Sequence, residues 1–235
     1  MIYKLIPALF FGLLSFTTPT KNTTDPKIIA EKTTATFESK VNLLYNNLNS
    51  NNFKLPQFET FSKALEGFYQ LKQKGLIQNN VLTLIDFSLS SNVKRLWVID
   101  MNSNTILFQS LVAHGRNSGE EFASKFSNKA ESYQSSLGFY ITGEVYQGKH
   151  GQSLRLDGLE KGINDKARDR AVVIHGADYV SDSFIKQNKR LGRSQGCPAL
   201  PEELTPEVIN TIKNKSCLFI YHPSGSYKIS SKLIS

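Results

Sequence analysis

Short apolar and β-branched runs separated by glycines fill the middle of the chain, and this pattern constrains the fold most. The runs cover residues 82–87, 95–101, 105–113, 136–145, 153–156, 171–175 and 217–221. Residues 102–104, Asn-Ser-Asn, separate two of the runs as a hairpin loop would. Many short strands with Gly-rich turns are typical of a mostly antiparallel sandwich or barrel. The sequence therefore predicts a mainly β fold with accessory helices.

Apolar residues at three- and four-residue spacing predict two helices before the first strand. One series runs from Phe37 to Leu48, and a second runs from Phe58 to Leu71, before Gly75. About 40 residues make a poor independent core, so we expect these helices to pack beside the β-rich domain. Two further helices are predicted, a short one over 181–187 and a clearer one over 205–214.

The N-terminus has the pattern of a secretory signal. Lys4 precedes the apolar run 5–16, which is short for a membrane span, and a Thr-rich polar stretch follows. The predicted organisation is a signal segment over 1–18, a polar linker over 19–34, a helical segment over 35–76 and one domain over 77–235. Cleavage near Thr18 and an uncleaved membrane anchor both fit this sequence.

The composition is that of a globular protein with a basic surface. Hydrophobic residues make up 40% and charged residues 20% of the chain, and the formal net charge is +8. A net positive charge favours binding to nucleic acid, a membrane or an acidic polymer. No nucleic-acid-binding motif is recognisable, so we expect no nucleic-acid partner. A solvated basic surface and an acidic polymer as partner both stay open.

Only one of the two cysteines lies in a loop punctuated by glycine and proline. Cys197 follows Gly196 and precedes Pro198, and His175 lies upstream at the end of an apolar run. A thiol needs a nearby base to become a thiolate, which His175 can supply. Taken singly, the first segment also fits a turn with a disulfide partner, and the second a strand with a structural histidine. Cys217 fits an inert core thiol, or a partner that would block Cys197.

Several segments together resemble one known family. They are SLGFY at 136–140, GKHG at 148–151, SLRL at 153–156, HGA at 175–177 and LGRSQGCP at 191–198. These runs resemble the murein L,D-transpeptidase catalytic domain proteins, a branch of the YkuD-like superfamily. The commoner pattern has histidine where this chain has Gln195. It also has Arg or Asn shortly after the cysteine, and a slightly shorter spacing between histidine and cysteine.

The resemblance implies a YkuD-like β-sandwich or barrel with Cys197 as nucleophile and His175 as base. It implies that the Gly176 carbonyl holds the other imidazole nitrogen, and we rank it above the carboxylate of Asp178. The backbone N–H groups of Gly196 and Cys197 are the candidate oxyanion hole, because glycine allows close approach of a substrate carbonyl.

Five further residues are candidate substrate contacts: Ser194, Arg193, Gln195, His150 and Arg190. An arginine offers a planar fork for a substrate carboxylate. Each candidate also has a plain structural interpretation, as a turn hydroxyl, an exposed arginine or a surface histidine. His114 and His222 are interpreted as structural. The spacing of His and Cys matches no zinc site, and we expect neither a metal nor an organic cofactor.

The function implied by the resemblance is an exported cysteine acyltransferase that acts on peptidoglycan stem peptides through a Cys197 thioester. It would be an L,D-transpeptidase, or an L,D-carboxypeptidase when water is the acceptor. The alternative is a catalytically silent peptidoglycan-binding protein with the same fold. A papain-like peptidase fits less well, because it places its cysteine before its histidine. We expect a monomer in the periplasm or cell envelope, with membrane contact only through an uncleaved signal.

Overall fold

The apolar runs of the sequence form eight strands in the structure. The computed structural model describes the backbone of residues 26–234 and the side chains of residues 36–234. The strands are β1 Val81–Asp86, β2 Leu96–Asp100, β3 Thr105–Ser110, β4 Gly138–Gly148, β5 Gly151–Gly158, β6 Val173–Gly176, β7 Ala199–Leu200 and β8 Cys217–Tyr221. The helices are α1 Pro26–Asn46, α2 Phe58–Gln73, α3 Asp182–Asn188, α4 Thr205–Ile212 and α5 Gly225–Ser230.

All eight strands belong to one sheet that is nearly closed. Their order is β3-β2-β1-β8-β4-β5-β6-β7. β1 pairs with β8 and β6 pairs with β7 in parallel, and the other neighbours are antiparallel. The two edges approach each other just after β3, where the Ala113 N–H donates to the Ala199 carbonyl at 2.9 Å. The mainly β prediction is confirmed, and closure makes the architecture barrel-like.

Strands β1 and β8, which are neighbours inside the sheet, are buried along their whole length because helices cover the sheet. Every residue of β1 and of β8 is buried, and α2 and α4 both contact β1. The buried face of α2 includes Phe61, Leu65 and Phe68, which share the helical spacing seen in the sequence. The end of α1 joins them, since the Tyr45 ring packs against Phe61 with ring centroids 5.5 Å apart.

Several predicted boundaries are wrong. The run 105–113 leaves the strand after Ser110, whereas β4 and β5 extend beyond 136–145 and 153–156 to a hairpin between Gly148 and Gly151. α4 ends at Ile212 and not at 214. β7 and α5 were not predicted. α1 begins at Pro26, so the segment expected to be a linker is helical from there on.

The chain divides into two compact units, Met1–Ser39 and Lys40–Ser235. The sheet and all side chains discussed below belong to the second unit. The predicted signal segment 1–18 lies outside the described residues. Within residues 26–234 no helix is long and apolar enough to span a membrane.

Gly67 provides a test of the packing between α2 and the sheet. A Cβ at this position would lie 2.0 Å from the Phe139 ring, and Phe139 is fully buried with its ring stacked on Phe219 at 4.1 Å. Alanine improves helix propensity by about 1 kcal/mol. Overpacking, at about 1–3 kcal/mol, outweighs this gain. We expect Gly67→Ala to lower the free energy of unfolding measured in urea.

Gly225→Ala is the control, because the space around a Cβ at Gly225, the first residue of α5, is open. We expect its stability to stay within about 0.5 kcal/mol of the wild type. Equal stability of the two variants would contradict the proposed contact between α2 and β4.

Candidate active site

The short parallel pairing of β6 with β7 places Cys197 near His175. His175 lies opposite Ala199, and Cys197 precedes Ala199 by two residues. His175 and Cys197 accordingly line one cavity of about 860 Å3. The structure thus brings the candidate base and the candidate nucleophile into the same site.

The loop before Cys197 has a conformation that its sequence explains. Gly196 has φ of +128°, and a Cβ there would lie 2.9 Å from the Gln134 carbonyl oxygen. Only glycine fits such a position without strain. Pro198 then restricts Cys197 to extended backbone, because the proline ring excludes helical conformations of the preceding residue. Glycine and proline together therefore set the direction in which the Cys197 side chain leaves the chain.

Ser194 holds this loop by two hydrogen bonds. Its Oγ accepts from the Gly196 N–H at 3.0 Å and donates to the Cys197 carbonyl at 2.6 Å. The Ser194 N–H donates to the His114 carbonyl at 3.0 Å. The hydroxyl is therefore occupied within the loop, as the turn interpretation of Ser194 expects. The Gly196 N–H, a candidate oxyanion donor, is occupied by the same hydroxyl.

His175 is almost fully buried, with 5% of its surface exposed. Its Nδ1 lies 2.8 Å from the Gly176 carbonyl oxygen. A carbonyl can only accept, so the network assigns the proton to Nδ1 and leaves Nε2 free to act as a base. Burial lowers the pKa of His175, the Gly176 carbonyl opposes this shift, and positive charge on His150 adds to it.

The Cys197 thiol is half-buried in the cavity wall. Its Sγ lies 3.7 Å from the Ala171 carbonyl oxygen, to which the thiol donates. Burial raises the pKa of Cys197, although the Val173 N–H and the charge of Arg170 both oppose this effect. With the thiol pKa raised and the His175 pKa lowered, the resting pair consists of a neutral thiol and a neutral imidazole.

His150 lies in the turn between β4 and β5 and covers one face of the candidate base. The rings of His150 and His175 stack with centroids 4.7 Å apart and planes inclined by 27°. His150 is itself exposed and lines the cavity. His150 therefore contacts the imidazole of His175 and also faces the cavity, where it is available to substrate.

The candidate arginines at the rim are paired with one carboxylate. Arg193 Nη1 lies 2.6 Å and Arg190 Nε lies 2.9 Å from the Glu120 oxygens. Arg193 lines the cavity together with Gln195, which is exposed, whereas Arg190 is not among the lining residues. Their roles in substrate binding stay predictions, and the two arginines share one carboxylate, so the group keeps a net positive charge.

Sequence reasoning missed Arg170, which also lines the cavity. Its guanidinium contacts the segment 127–136, which lies far away in sequence and belongs to a motif only at Ser136. Only the position of Arg170 shortly before β6 was visible in the sequence. No spacing rule connects it to Cys197.

His114 and Arg95 form a buried polar pair behind the loop. Arg95 is fully buried, and its Nη2 donates to His114 Nδ1 at 2.8 Å. Burial and the neighbouring arginine lower the pKa of His114 to about 4, and burial lowers the pKa of Arg95 to about 9. His114 is therefore a neutral acceptor that supports the chain next to Ser194.

Both cysteines are free. Cys217 is fully buried in β8, between Leu82 of β1 and Ile141 of β4. Burial raises its pKa. It thus has the surroundings of an inert core thiol. Within the described chain, no three His, Cys, Asp or Glu side chains converge as a metal site would require.

Residues 53–221 match the family model of the L,D-transpeptidase catalytic domain. The match extends over all eight strands and includes His175 and Cys197. It covers well over half of the chain, and the chain therefore belongs to this family. No curated protein matches the chain.

The chain also shows similarity to solved structures. An L,D-transpeptidase from Mycobacterium smegmatis is 10% identical, with a TM-score of 0.37 over 61% of this chain and 59% of that chain. A helical cell shape determining protein from Campylobacter jejuni is 15% identical, with a TM-score of 0.39 over 76% and 62%. An L,D-transpeptidase from Xylanimonas cellulosilytica is 10% identical, with a TM-score of 0.35 over 88% and 99%. The chain spans about half to three fifths of the first solved chains that it matches.

The stacked imidazoles predict a measurable effect on the base. His150→Phe keeps an aromatic ring over His175 but removes the positive charge that His150 can carry. Since that charge lowers the pKa of His175, we expect the substitution to raise this pKa, while burial keeps it below about 6.5. The pH titration of the His175 ring protons by NMR measures the change.

Lys149→Gln is the matched control. Lys149 lies beside His150 in the same turn and lines the same cavity, but it is not among the groups that shift the pKa of His175. We expect this variant to leave the titration unchanged. An equal shift in both variants, or none in His150→Phe, would remove His150 as the source of the effect.

Proposed function

We propose that the protein is an exported cysteine acyltransferase acting on peptidoglycan stem peptides. It acts as an L,D-transpeptidase, or as an L,D-carboxypeptidase when water is the acceptor. The observation that carries the proposal is the shared cavity of Cys197 and His175, with His175 Nδ1 held by the Gly176 carbonyl at 2.8 Å. Membership of the family supports the substrate class.

The first half of the reaction follows from this geometry. His175 Nε2 takes the thiol proton while Cys197 Sγ attacks the carbonyl carbon of the third stem residue. The carbonyl oxygen becomes an oxyanion in the tetrahedral intermediate. His175 then gives its proton to the departing amine of the terminal D-alanine, the C–N bond breaks, and a thioester remains on Cys197.

The second half releases the acyl group. An acceptor amine attacks the thioester carbonyl carbon, and His175 Nε2 takes a proton from the amine nitrogen as the C–N bond forms. The C–S bond breaks, and the thiolate recovers the proton from His175. Water in place of the amine gives the carboxylic acid by the same steps. The proposed transfer and hydrolysis differ only in which nucleophile reaches the thioester first.

One backbone donor is better placed than the other for the oxyanion. The Gly196 N–H already donates to Ser194 Oγ, so it would reach an oxyanion only if that bond opened. Among the described residues, the Cys197 N–H donates no hydrogen bond to another residue. We therefore assign the Cys197 N–H as the first oxyanion donor. Loss of one such donor lowers rates by about 10² to 10³ in other enzymes.

The resting pair shapes the expected mechanism. A raised thiol pKa and a lowered imidazole pKa disfavour a preformed thiolate–imidazolium pair. Proton transfer then accompanies the attack, and His175 acts as a general base. Acid stops the reaction by protonating His175. Because the pKa of His175 is lowered, this loss occurs at a lower pH than for an ordinary imidazole.

The cavity has a size and lining that suit a peptide. Its volume of about 860 Å3 lies within the range of about 300–1,000 Å3 usual for ligand sites. Three tyrosines, Tyr133, Tyr146 and Tyr179, contribute aromatic surface, and side chains of both charges surround them. A stem peptide carries apolar methyl groups, amides and charged termini, which such a lining can contact.

The experiment that tests this function is mass analysis of cell-wall fragments incubated with the purified protein. Tetrapeptide fragments should yield cross-linked dimers, or tripeptide fragments with loss of alanine. Cys197→Ser should lower product formation by at least about 10³, because a serine hydroxyl beside a neutral imidazole is a far weaker nucleophile than a thiol.

Cys217→Ser is the matched control, since it makes the same atomic change at the other cysteine. It can cost stability by burying a hydroxyl, but the folded protein should keep its activity. Loss of product in Cys217→Ser with retention in Cys197→Ser would reverse the assignment. Binding of fragments without any product in the wild type would favour the silent peptidoglycan-binding alternative.

A further inference from the structure

Arg170 is held rigidly in the cavity wall by neutral groups. Its Nη1 donates to the Ser127 carbonyl and Ser136 Oγ at 2.8 and 2.5 Å. Its Nη2 donates to the Gln134 carbonyl and Ser132 Oγ at 2.6 and 3.3 Å. Four of the five guanidinium N–H groups are thereby used. The side chain therefore cannot offer its fork to a substrate carboxylate, but its charge has a fixed position.

No carboxylate compensates this charge. Among the ion pairs of the described residues none includes Arg170, whereas Arg193 is paired with Glu120 and Arg168 with Glu144 and Asp157. Arg170 is half-buried, and burial lowers its pKa. A half-buried cation without an anion is costly to a folded protein. Such a cost is offset when an anion forms beside the cation during function.

Cys197 is a candidate for that anion. Arg170 and Cys197 line the same cavity, and a methyl group at Gly196, the residue before the cysteine, would lie 3.3 Å from Arg170 Nη2. Negative charge on Cys197 and positive charge on Arg170 each favour the other. The remaining titratable or charged groups that line the cavity are Glu131, Tyr133, Tyr146, Lys149, His150, Asp169, His175, Tyr179 and Arg193.

The geometry points to Arg170 as an electrostatic positioning residue whose fixed guanidinium stabilises the negative charge that develops at Cys197 during attack. It complements His175, which removes the proton, because it stabilises the charge that the proton leaves behind. The inference rests on the thiol chemistry of the proposed function.

Two alkylating reagents can measure this charge without a substrate. Iodoacetamide is neutral and iodoacetate is an anion, and both react with the same thiolate. The ratio of their second-order rate constants at Cys197 therefore cancels the thiolate fraction and reports the local charge. A unit positive charge about 7 Å from the iodoacetate carboxylate would raise this ratio. The increase is about threefold at an effective dielectric constant of about 80 and about fiftyfold at about 20. Peptide mass mapping restricts the measurement to Cys197.

Three variants separate charge from structure. Arg170→Gln should lower the ratio of iodoacetate to iodoacetamide rates by at least about threefold. It should also raise the pKa of the Cys197 thiol, so that the midpoint of the alkylation profile moves to higher pH. Arg170→Lys loses the forked hydrogen bonds but keeps the charge, so its ratio should stay closer to the wild type. Arg168→Gln removes the same formal charge outside the cavity and should leave the ratio unchanged.

An unchanged ratio in Arg170→Gln, or an equal fall in Arg168→Gln, overturns the inference. An equal fall in Arg170→Lys shows that Arg170 acts only through its hydrogen bonds, and overturns it as well. If Arg170→Gln does not fold, the test is made on the wild type. The ratio of iodoacetate to iodoacetamide rates should then be at least about threefold higher in the native protein than in urea, and a smaller difference overturns the inference. If native Cys197 reacts with neither reagent, the thiol chemistry itself fails, which is distinct from a reactive thiol that is insensitive to Arg170.

Discussion

Ala199 is bonded on both sides, and the rest of the site depends on this pairing. On one side it lies opposite His175 in the parallel pairing of β6 with β7. On the other side its carbonyl accepts from the Ala113 N–H at 2.9 Å, beyond the end of β3. These contacts bring the two edges of the sheet, β7 and the segment that follows β3, together. They also fix the chain two residues before Ala199, where Cys197 lies. The pairings of Ala199 that close the sheet therefore also position the Cys197 thiol.

The charges around the cavity are arranged in two zones. At the cavity edge, Glu120 pairs with both Arg190 and Arg193 and compensates half of their positive charge. Deeper, Arg170 has only neutral partners, and the thiol and the imidazole are both neutral at rest. In the proposed reaction, negative charge arises in the deeper zone only when the thiol attacks. The Cys197 N–H and Arg170 are oriented before that moment, so no large rearrangement is needed to stabilise the charge.

Local sequence patterns were sufficient where local rules determine structure. The spacing of Phe61, Leu65 and Phe68 predicted the buried face of α2, and alternating glycines and apolar runs predicted most strands. Glycine and proline around Cys197 indicated a loop, and Gly196 in that loop has φ of +128°. β7 has only two residues, which is too short for any periodicity, so it was missed.

The remaining features depend on partners that are distant in sequence. Glu120 lies about 70 residues from the arginines with which it pairs, and the groups that hold Arg170 lie in the segment 127–136. No periodicity or motif links such positions. The pKa directions of His175 and Cys197 also follow from burial, which only the folded chain defines. The sequence could therefore nominate the thiol and the base, but not the electrostatic state in which they rest.

Intact-mass spectrometry of an acid-quenched reaction tests the central claim most directly. The protein is incubated briefly with a tetrapeptide muropeptide, quenched, and digested to locate any adduct. The account predicts a mass increase equal to the donor without its terminal alanine, carried by Cys197 and removed by hydroxylamine as a thioester is. Turnover of the muropeptide with the adduct on another residue, or with Cys197 already alkylated, would contradict the account.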